Sequence, residues 1–309
     1  MKRRVKLGFV FVICSTTMMS CNKVEETVKP EILIDTTLYT DGNWIDYAIP
    51  SFTTNTNTNR NLLLEEFTGH KCGNCPEAAE IAKNIELNNL GRVFDVSIHA
   101  GAGGNDGLQA PQANCGTVSN PNNKFCHDFR TNEGNDYGVR FEAFGFSGNP
   151  YGNISRHTFS EFMFQFHNVW EVKTSELLLE NDLKVNIQAK NNFYAASNGG
   201  YIHIETQFLE DLSSNYNIVT YAIQNEVIEW QDVDGEDVED YHHHNVFLGC
   251  VDGEAWGTSI ASQPKSGEKF ETTYSYVLPT GIAKDEIHFL TYVYDVNTYE
   301  ILQVIKHNF

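Results

Sequence analysis

Two cysteines separated by two residues, Cys72 and Cys75, lie within the segment EEFTGHKCGNCPEA, which spans residues 65–78. This spacing can support three kinds of chemistry: thiol–disulfide exchange, half of a zinc site, or a static disulfide. In an exchange reaction, one thiolate attacks a substrate disulfide and the second cysteine resolves the mixed disulfide. The pair is therefore the first candidate active site, and the zinc and static alternatives stay open.

The residues that follow the pair favour a redox role. The segment PEAAEIAKNIELNNLG begins with proline and ends with glycine, which predicts a helix that starts beside Cys75. The positive end of a helix dipole stabilises a thiolate, and Lys71 adds a neighbouring positive charge. We therefore expect Cys72 to be an exposed nucleophile with a lowered pKa and Cys75 to be a more buried resolving thiol.

The elements around the pair form a β-α-β unit. NLLLEEF before the pair and RVFDVSIHA after the helix are short apolar runs that predict buried strands. Four apolar residues of the intervening helix fall on one face: Ala78, Ile81, Ala82 and Ile85. The cysteine pair therefore lies in the first strand-to-helix turn.

The rest of the chain divides into regions that differ in composition and in the spacing of apolar residues. We predict a tether or linker over residues 21–60, although EILIDTTLY and NWIDYAIP have enough apolar residues to dock on the body. An α/β domain covers residues 61–181, with a loop-rich insertion of Gly and Asn at residues 100–147. Residues 182–309 hold seven β-rich runs, which predict an all-β antiparallel sandwich that folds as a separate unit.

The remaining cysteines are assigned by context. Cys115 and Cys126 lie in a loop rich in Asn and Pro, and a structural disulfide between them would close a twelve-residue loop, worth roughly 3 kcal/mol. The zinc alternative instead recruits His70 and these two cysteines to complete a site with the first pair. Cys250, within VFLGCV, is expected to be a buried apolar residue.

The most charged stretch is DVDGEDVEDYHHH, residues 232–244. Its acids begin like a calcium loop, but Asp237 occupies the position that requires glycine and His243 the position that requires a bidentate acid. Asp234-Gly235 instead predicts a hairpin turn. His242 and His244 would share one face of a strand, and whether they bind a metal stays open.

The N-terminus predicts export. MKRR and the short apolar stretch behind it read as a signal peptide over residues 1–20, and MMSC ends at Cys21, a candidate acylated N-terminus. Removal of the signal takes away four basic and no acidic residues, so the formal net charge changes from −20 to −24. A chain this acidic repels phosphate backbones, which argues against nucleic acid as a partner. An exported chain meets an oxidising compartment, where disulfides persist.

The order strand, CxxC, helix, strand resembles the thioredoxin fold. This resemblance implies that Glu66 is a buried acid that assists proton transfer and that Pro150, in SGNPYGNISR, is a cis-proline that shapes the substrate groove. The chain departs from thioredoxins at Lys71, where they carry tryptophan, and at Pro76, which follows the second cysteine directly.

A closer resemblance rests on five motifs: LLLEEFTGHKCGNCPEA, VSIHAG, NPYGNISR, NEVIEWQ and YHHHNVFL. Together they resemble the twenty-eight-kilodalton outer-membrane protein family of Bacteroidetes-type lipoproteins, over roughly residues 60–309. The family implies a thioredoxin-like domain followed by an all-β antiparallel, immunoglobulin-like sandwich. It does not imply a proven activity.

These observations lead to a functional hypothesis. We expect a lipid-anchored outer-membrane protein, on the periplasmic or cell-surface face, that exchanges electrons with protein thiols or disulfides of the cell envelope. No diffusible cofactor is implied, because a partner dithiol or disulfide supplies or accepts the electrons. The alternative is a non-enzymatic surface protein for adhesion or assembly, with a structural disulfide in CGNC.

Overall fold

A large β-sheet runs through the described part of the chain, residues 34–104 and 107–309, in this computed structural model. The predicted signal peptide and Cys21 lie outside these residues. The helices are α1 (Cys75–Asn88), α2 (Asn132–Phe141) and α3 (Trp170–Glu180). The strands are β1 (Leu62–Phe67), β2 (Val93–Ile98), β3 (Tyr151–Ile154), β4 (Val185–Tyr194), β5 (Gly199–Phe208), β6 (Asn215–Val233), β7 (Glu236–Cys250), β8 (Thr258–Ser262), β9 (Lys269–Val277), β10 (Ile287–Asp295) and β11 (Ile301–His307).

The predicted β-α-β unit is present. Strands β1 and β2 pair in parallel, with Leu62 opposite Val93, and α1 connects them. The helix buries Ala78, Ala82 and Ile85 against the sheet, as the apolar spacing predicts. Strand β3 pairs antiparallel with β1 and forms one edge of the sheet. Helices α1 and α3 contribute to the core on one face of β1, and α2 contributes to the core on the other.

The large sheet continues across the predicted domain boundary. Its order is β11-β10-β6-β7-β2-β1-β3, and β8 pairs with β6. We call residues 61–181 the first segment and residues 182–309 the second segment. The pairing of β2 with β7, at Ser97 and Val246, links the two segments. The expectation of a sandwich separate from the first sheet is therefore corrected. Without β7, strand β2 would have one edge with unpaired backbone groups, and pairing with β7 satisfies part of that edge. Residues 34–309 form one compact unit.

A second sheet of three strands, in the order β4-β5-β9, packs on the part of the large sheet that is formed by residues of the second segment. The shared core contains Ile187, Ile204 and Tyr274 from the small sheet and Phe289 and Val293 from the large sheet. The two sheets make this segment a layered, mostly antiparallel β structure. Strand β8 was missed in the sequence because its five residues, TSIAS, are short and polar.

Residues 34–60, which precede β1, are not a free linker. Trp44 and Tyr47 stack with ring centroids 4.5 Å apart, and they join Leu38 in an aromatic cluster on Tyr201 of β5. The low-complexity Thr/Asn stretch is also held, since the Asn57 amide donates to Asn186 Oδ1 at 2.9 Å. The prediction of a tether is therefore wrong for residues 34–60, because asparagine side chains hydrogen-bond where apolar surface is lacking.

The predicted insertion at residues 100–147 contains a helix. Thr131 caps α2, because its side chain accepts a hydrogen bond from the Gly134 N–H at 2.9 Å. Tyr137 and Phe141 of this helix are fully buried in the core. Within the described residues, no helix combines the length and the apolar character needed to cross a membrane.

A buried ion pair lies on one face of the large sheet. Arg156, in the turn after β3, donates two hydrogen bonds to the Glu65 carboxylate at 2.8 and 2.7 Å, and both side chains are fully buried. The hydroxyls of Tyr221 and Tyr292, from β6 and β10, each lie 2.9 Å from the guanidinium. Burial alone would raise the pKa of Glu65, but the charge of Arg156 and its hydrogen bonds hold that pKa below its usual value.

Replacement of one partner of this pair should be costly. Arg156→Met leaves the Glu65 carboxylate buried and unpaired, so we expect the free energy of unfolding to fall by about 3–5 kcal/mol. Equilibrium unfolding in urea measures it. Arg130→Met is the matched control, because its ion pair with Asp128 is partly exposed and should be worth at most about 1 kcal/mol. Equal losses in the two variants would contradict a structural role for the buried pair.

Candidate functional site at the Cys72–Cys75 pair

Cys72 and Cys75 form a disulfide at the start of α1. The two sulfurs are 2.07 Å apart and the Cα atoms 5.4 Å apart. Cys75 is the first residue of the helix, and its N–H donates to the Cys72 carbonyl at 3.1 Å. The N–H of Cys72 donates in turn to the Gly69 carbonyl at 3.0 Å. The loop between β1 and α1 therefore places both sulfurs at the positive end of a fourteen-residue helix.

Both cysteines are buried, which contradicts the expectation of an exposed Cys72. The relative exposure of Cys72 is 5% and that of Cys75 is 1%. Residues 231–235, at the turn between β6 and β7, hydrogen-bond to the main chain of the cysteine loop, and we call them the hairpin tip. The tip belongs to the second segment of the chain and packs on the cysteine loop of the first. No sequence pattern near the CGNC motif could therefore indicate this contact.

The hairpin tip is bonded to the main chain of the cysteine loop. The Asp232 N–H donates to the His70 carbonyl at 2.8 Å, and the Asp234 N–H donates to the Gly73 carbonyl at 3.0 Å. The Gln231 amide donates to the Cys72 carbonyl at 3.1 Å. The approach is so close that a Cβ on Gly73 would lie 2.8 Å from Asp232 Oδ1. Glycine at this position therefore permits the contact.

The turn in the hairpin tip is the one that the sequence predicts. Asp234 and Gly235 have φ values of 52° and 88°, and Val233 pairs with Glu236. Two positive φ values in succession fit a type I′ hairpin turn, so the hairpin prediction is confirmed. The strands are much longer than expected, since β6 has 19 residues and β7 has 15. This length carries the tip to the cysteines.

Glu66 is buried on the side of β1 that faces α1. Its exposure is 1%, and the nearest hydrogen-bond donor is the Ser97 hydroxyl, 3.4 Å from Oε2. Burial raises the pKa of Glu66 to about 8, because one long hydrogen bond does not replace the lost hydration of a carboxylate. At neutral pH the side chain therefore holds a proton that it can release in the physiological range.

A cavity of about 310 Å³ lies behind Cys75. Cys75 shares its walls with Asp95 and Ser97 of β2 and Tyr241 of β7. Burial, together with the neighbouring Glu86 carboxyl, raises the pKa of Asp95 well above its usual value. Ser97 also bonds to Glu66. Cys75 therefore adjoins a cavity that the Asp95 carboxyl and the Ser97 hydroxyl also line.

Pro150 lies at the same end of β1 as the cysteine loop. Tyr151, the first residue of β3, pairs with Phe67, the last residue of β1. Continuation of this antiparallel register places Pro150 beside Thr68. The Asn149–Pro150 peptide bond is cis. The Asn149 amide donates to the Ala100 carbonyl at 3.0 Å, which ties this turn to the end of β2. Thr68 itself lines the cavity behind Cys75.

The other predicted ligands do not assemble with the pair. Cys115 and Cys126 form their own disulfide, with an S–S distance of 2.00 Å, so the zinc set built on His70 is wrong in this form of the protein. His242 and His244 do share a face, and their Nδ1 atoms lie 2.8 and 3.7 Å from Glu226 Oε1. In the described ranges, no group of three or more His, Cys, Asp or Glu residues could hold a metal ion. Cys250 is a free, buried thiol, as expected.

Sequence reasoning missed a cluster of imidazoles around Phe129. The ring centroids of His99, His243 and His70 lie 4.2, 4.6 and 5.7 Å from that of Phe129. Burial lowers the pKa of His70 to about 4 and that of His243 to about 3, so these rings are neutral at physiological pH. The histidines are far apart in the chain. The only local signal was the alternation of Asp95, Ser97 and His99 along a buried strand.

Comparisons with known proteins give a family and a fold. The model of the family described as outer membrane protein Omp28 matches residues 140–309. HBP35 of Porphyromonas gingivalis has a similar structure, with a TM-score of 0.61, 15% identity, and coverage of 81% of this chain and 76% of that one. A domain of the outer membrane lipoprotein Omp28 from Porphyromonas gingivalis matches with a TM-score of 0.28, 19% identity, and coverage of 40% and 86%. No curated protein sequence matches the chain.

The raised pKa of Glu66 predicts a pH-dependent stability. The folded state holds the proton up to about pH 8, whereas the unfolded chain releases it near 4.5. The stability from this group is therefore present below pH 4.5 and is lost as the pH rises towards 8. Glu66→Gln removes that loss, so at pH 8.5 the variant should be more stable than the wild type by roughly 2–4 kcal/mol.

Urea unfolding of both proteins at pH 5.5 and 8.5 measures this difference, which should be smaller at the lower pH. Glu210→Gln, at an exposed position, should show no pH-dependent difference from the wild type. If Glu66→Gln differed from the wild type equally at both pH values, the Glu66 carboxyl would not be the titrating group.

Proposed function

The chain belongs to the outer membrane protein Omp28 family, and we propose that it is a thiol–disulfide exchange protein of the cell envelope. Cys72 and Cys75 are the reactive pair. The observation that carries this proposal is the position of the disulfide: it lies at the N-terminus of α1, Cys75 lines a cavity, and Ser97 of the same cavity donates a hydrogen bond to the buried Glu66. A structural disulfide needs neither a helix dipole nor a carboxyl group that titrates near neutral pH.

The proposed reaction transfers two electrons between dithiols. In the reduced protein, the Cys72 thiolate attacks a substrate disulfide, so one S–S bond breaks and a mixed disulfide forms. Cys75 then loses its proton and attacks Cys72 Sγ, which releases the second substrate thiolate and restores the protein disulfide. The same steps run backwards when a substrate dithiol reduces the protein. The reduction potential of the partner sets the direction of exchange. Because the partner dithiol or disulfide supplies or accepts the electrons, the scheme uses no diffusible cofactor.

Two groups of the protein assist in this scheme. Glu66 accepts the proton that Cys75 must lose and returns it in the reverse direction, through the polar cavity that Cys75 lines. Pro150 shapes the surface beside the pair, where a substrate segment lies during exchange. Its position at the end of β1 supports this role, since Thr68 and the cysteine loop begin at the same point.

We assign β1–β3 and α1–α3 as a thioredoxin-like part and β4–β11 as an immunoglobulin-like sandwich part. The parallel pair β1–β2 joined by α1, and β3 paired antiparallel with β1, support the first assignment. The packing of the three-stranded sheet on the large sheet supports the second. The two parts share one sheet rather than lying in separate domains.

The proposed site of action is the outer membrane, reached by a lipid anchor on Cys21. The MMSC motif behind a short apolar stretch and the membership of an outer membrane family support this assignment. Its partners are protein thiols or disulfides of the periplasm or the cell surface. One acyl chain binds a membrane only marginally, so a stable anchor requires more than one chain on this residue.

A second candidate function follows from the burial of both sulfurs. A disulfide with exposures of 5% and 1% is also what a static staple looks like. In that case the protein is a surface component for adhesion or assembly, and the disulfide stabilises the start of α1. The two functions make opposite predictions for variants of the pair.

Cys75→Ala should trap substrates. Without the resolving thiol, the mixed disulfide on Cys72 persists, and reducible species of higher mass should accumulate in the native envelope. Non-reducing electrophoresis and mass spectrometry of the captured species measure this. Cys72→Ala is the matched control and should trap little, because Cys75 is the less exposed sulfur. If neither variant traps a protein and both only lose stability, the pair is a staple.

A further inference from the structure

Exchange at Cys72–Cys75 requires the hairpin tip to move. A thiolate attacks a disulfide along the S–S axis and must reach one sulfur directly. Both cysteines are buried, and the tip binds the carbonyls of His70, Cys72 and Gly73 in the loop that carries them. In this form the pair is therefore shielded from a protein thiol, and the tip must move before the pair can react.

A loop of the insertion contacts the outer side of the hairpin. Lys124 forms an ion pair with Asp237 of β7, and its ammonium also lies 5.8 Å from the centre of the Trp230 ring. His127 Nδ1 is 3.4 Å from Glu229 Oε1. The Trp230 indole N–H donates to the Asn122 carbonyl at 3.4 Å. All three loop residues lie within or directly beside the ring closed by Cys115–Cys126.

This loop contains no helix or strand, and its shape depends on local bonds. The Lys124 N–H donates to Asn120 Oδ1 at 2.8 Å, and the Gly116 N–H donates to Asn123 Oδ1 at 3.0 Å. Both contacts are side chain to main chain and partly open to water. The Cys115–Cys126 disulfide is the covalent constraint that keeps these residues together. Breaking it restores conformational freedom to the loop that carries Lys124.

The two disulfides differ in access. Cys115 and Cys126 are both partly exposed at the surface, whereas Cys72 and Cys75 are buried. A reductant therefore meets the outer disulfide first. Reduction of the outer disulfide loosens the loop, and the contacts of Lys124, His127 and Asn122 with the hairpin weaken together.

We propose that the hairpin tip is a redox-controlled cover over Cys72–Cys75 and that the Cys115–Cys126 disulfide is the catch that keeps it closed. This inference rests on the proposed exchange function and adds its regulation. In the oxidised form the pair is protected. Once the outer disulfide is reduced, the tip lifts and the inner pair can react.

The chemistry of the catch is ordinary thiol exchange with a dithiol reductant. A thiolate of the reductant attacks one sulfur of the outer pair, the S–S bond breaks, and a mixed disulfide forms. The second thiol of the reductant closes its own disulfide and releases the remaining cysteine. Two electrons and two protons pass to the outer pair. No electrons pass between the two pairs, which distinguishes a catch from a relay.

The test is the order and rate of reduction by dithiothreitol. The oxidised protein is exposed to a fixed concentration, samples are quenched with N-ethylmaleimide, and mass mapping gives the fraction of each pair that is reduced. In the wild type the outer pair should be reduced first and the inner pair after a delay. In the Cys115→Ser/Cys126→Ser double variant the inner pair should react faster, on the order of ten-fold.

Lys124→Ala keeps the outer disulfide and removes the contacts of the ammonium with Asp237 and Trp230 of the hairpin. The inner pair should then react about 2- to 5-fold faster, as expected for loss of a surface ion pair. Glu239→Gln, at an exposed position on the same hairpin, is the matched control and should leave the rate unchanged. Circular dichroism of each variant confirms that it is folded.

The proposal is overturned if the inner pair of the wild type is reduced before or together with the outer pair. It is also overturned if both variants keep the wild-type rate. Because dithiothreitol needs no substrate surface, this readout is independent of exchange activity. Faster reduction in the variants without trapping by Cys75→Ala would leave the cover in place and remove the exchange function. If Cys75→Ala traps substrates but the variants keep the wild-type reduction rate, the exchange function stands and the cover is overturned.

Discussion

The structure depends on the buried ion pair between Glu65 and Arg156. A carboxylate in the middle of a fully buried strand would be unstable without a partner, and here Arg156 forms two hydrogen bonds to it. The Tyr221 hydroxyl also donates to Glu65 at 2.8 Å, and the Tyr292 hydroxyl contacts the guanidinium. This network joins the strand that leads to the cysteines with β6 and β10 of the second segment. The same β6 ends at the hairpin tip, so the network that holds the sheet together also positions the cover over the cysteines.

The successive carboxyl groups of Glu65 and Glu66 on β1 have pKa values shifted in opposite directions. Glu65 faces the arginine and has a lowered pKa, whereas Glu66 faces the helix side with one weak donor, and burial raises its pKa to about 8. Because side chains alternate between the two faces of a strand, neighbouring acids in LLLEEF can serve different purposes. One is a structural anion. The other accepts a hydrogen bond from Ser97, which lines the same cavity as Cys75, and under the proposed function it accepts the proton that Cys75 loses.

Local patterns in the sequence predicted the local parts of the structure. The proline and glycine around α1, the apolar runs of β1 and β2, and the Asp234-Gly235 turn each depend on residues close together in the chain. The hairpin tip on the cysteine loop joins residues about 160 positions apart, as in the bond between Gln231 and Cys72, and no local pattern carries that information. The same limit explains the shared sheet, the imidazoles around Phe129 and the docked Thr/Asn segment. In each case tertiary contacts override what composition alone suggests.

The most direct test of the account is the reduction potential of the Cys72–Cys75 pair. The protein is equilibrated with a series of glutathione redox buffers, approached from both the oxidised and the reduced side, and mass mapping gives the fraction of each pair that is oxidised. A working exchange site should have a potential above about −300 mV, in the range of known exchange proteins. A value below about −300 mV, typical of structural disulfides, would contradict the exchange function and leave the pair as a staple of the fold.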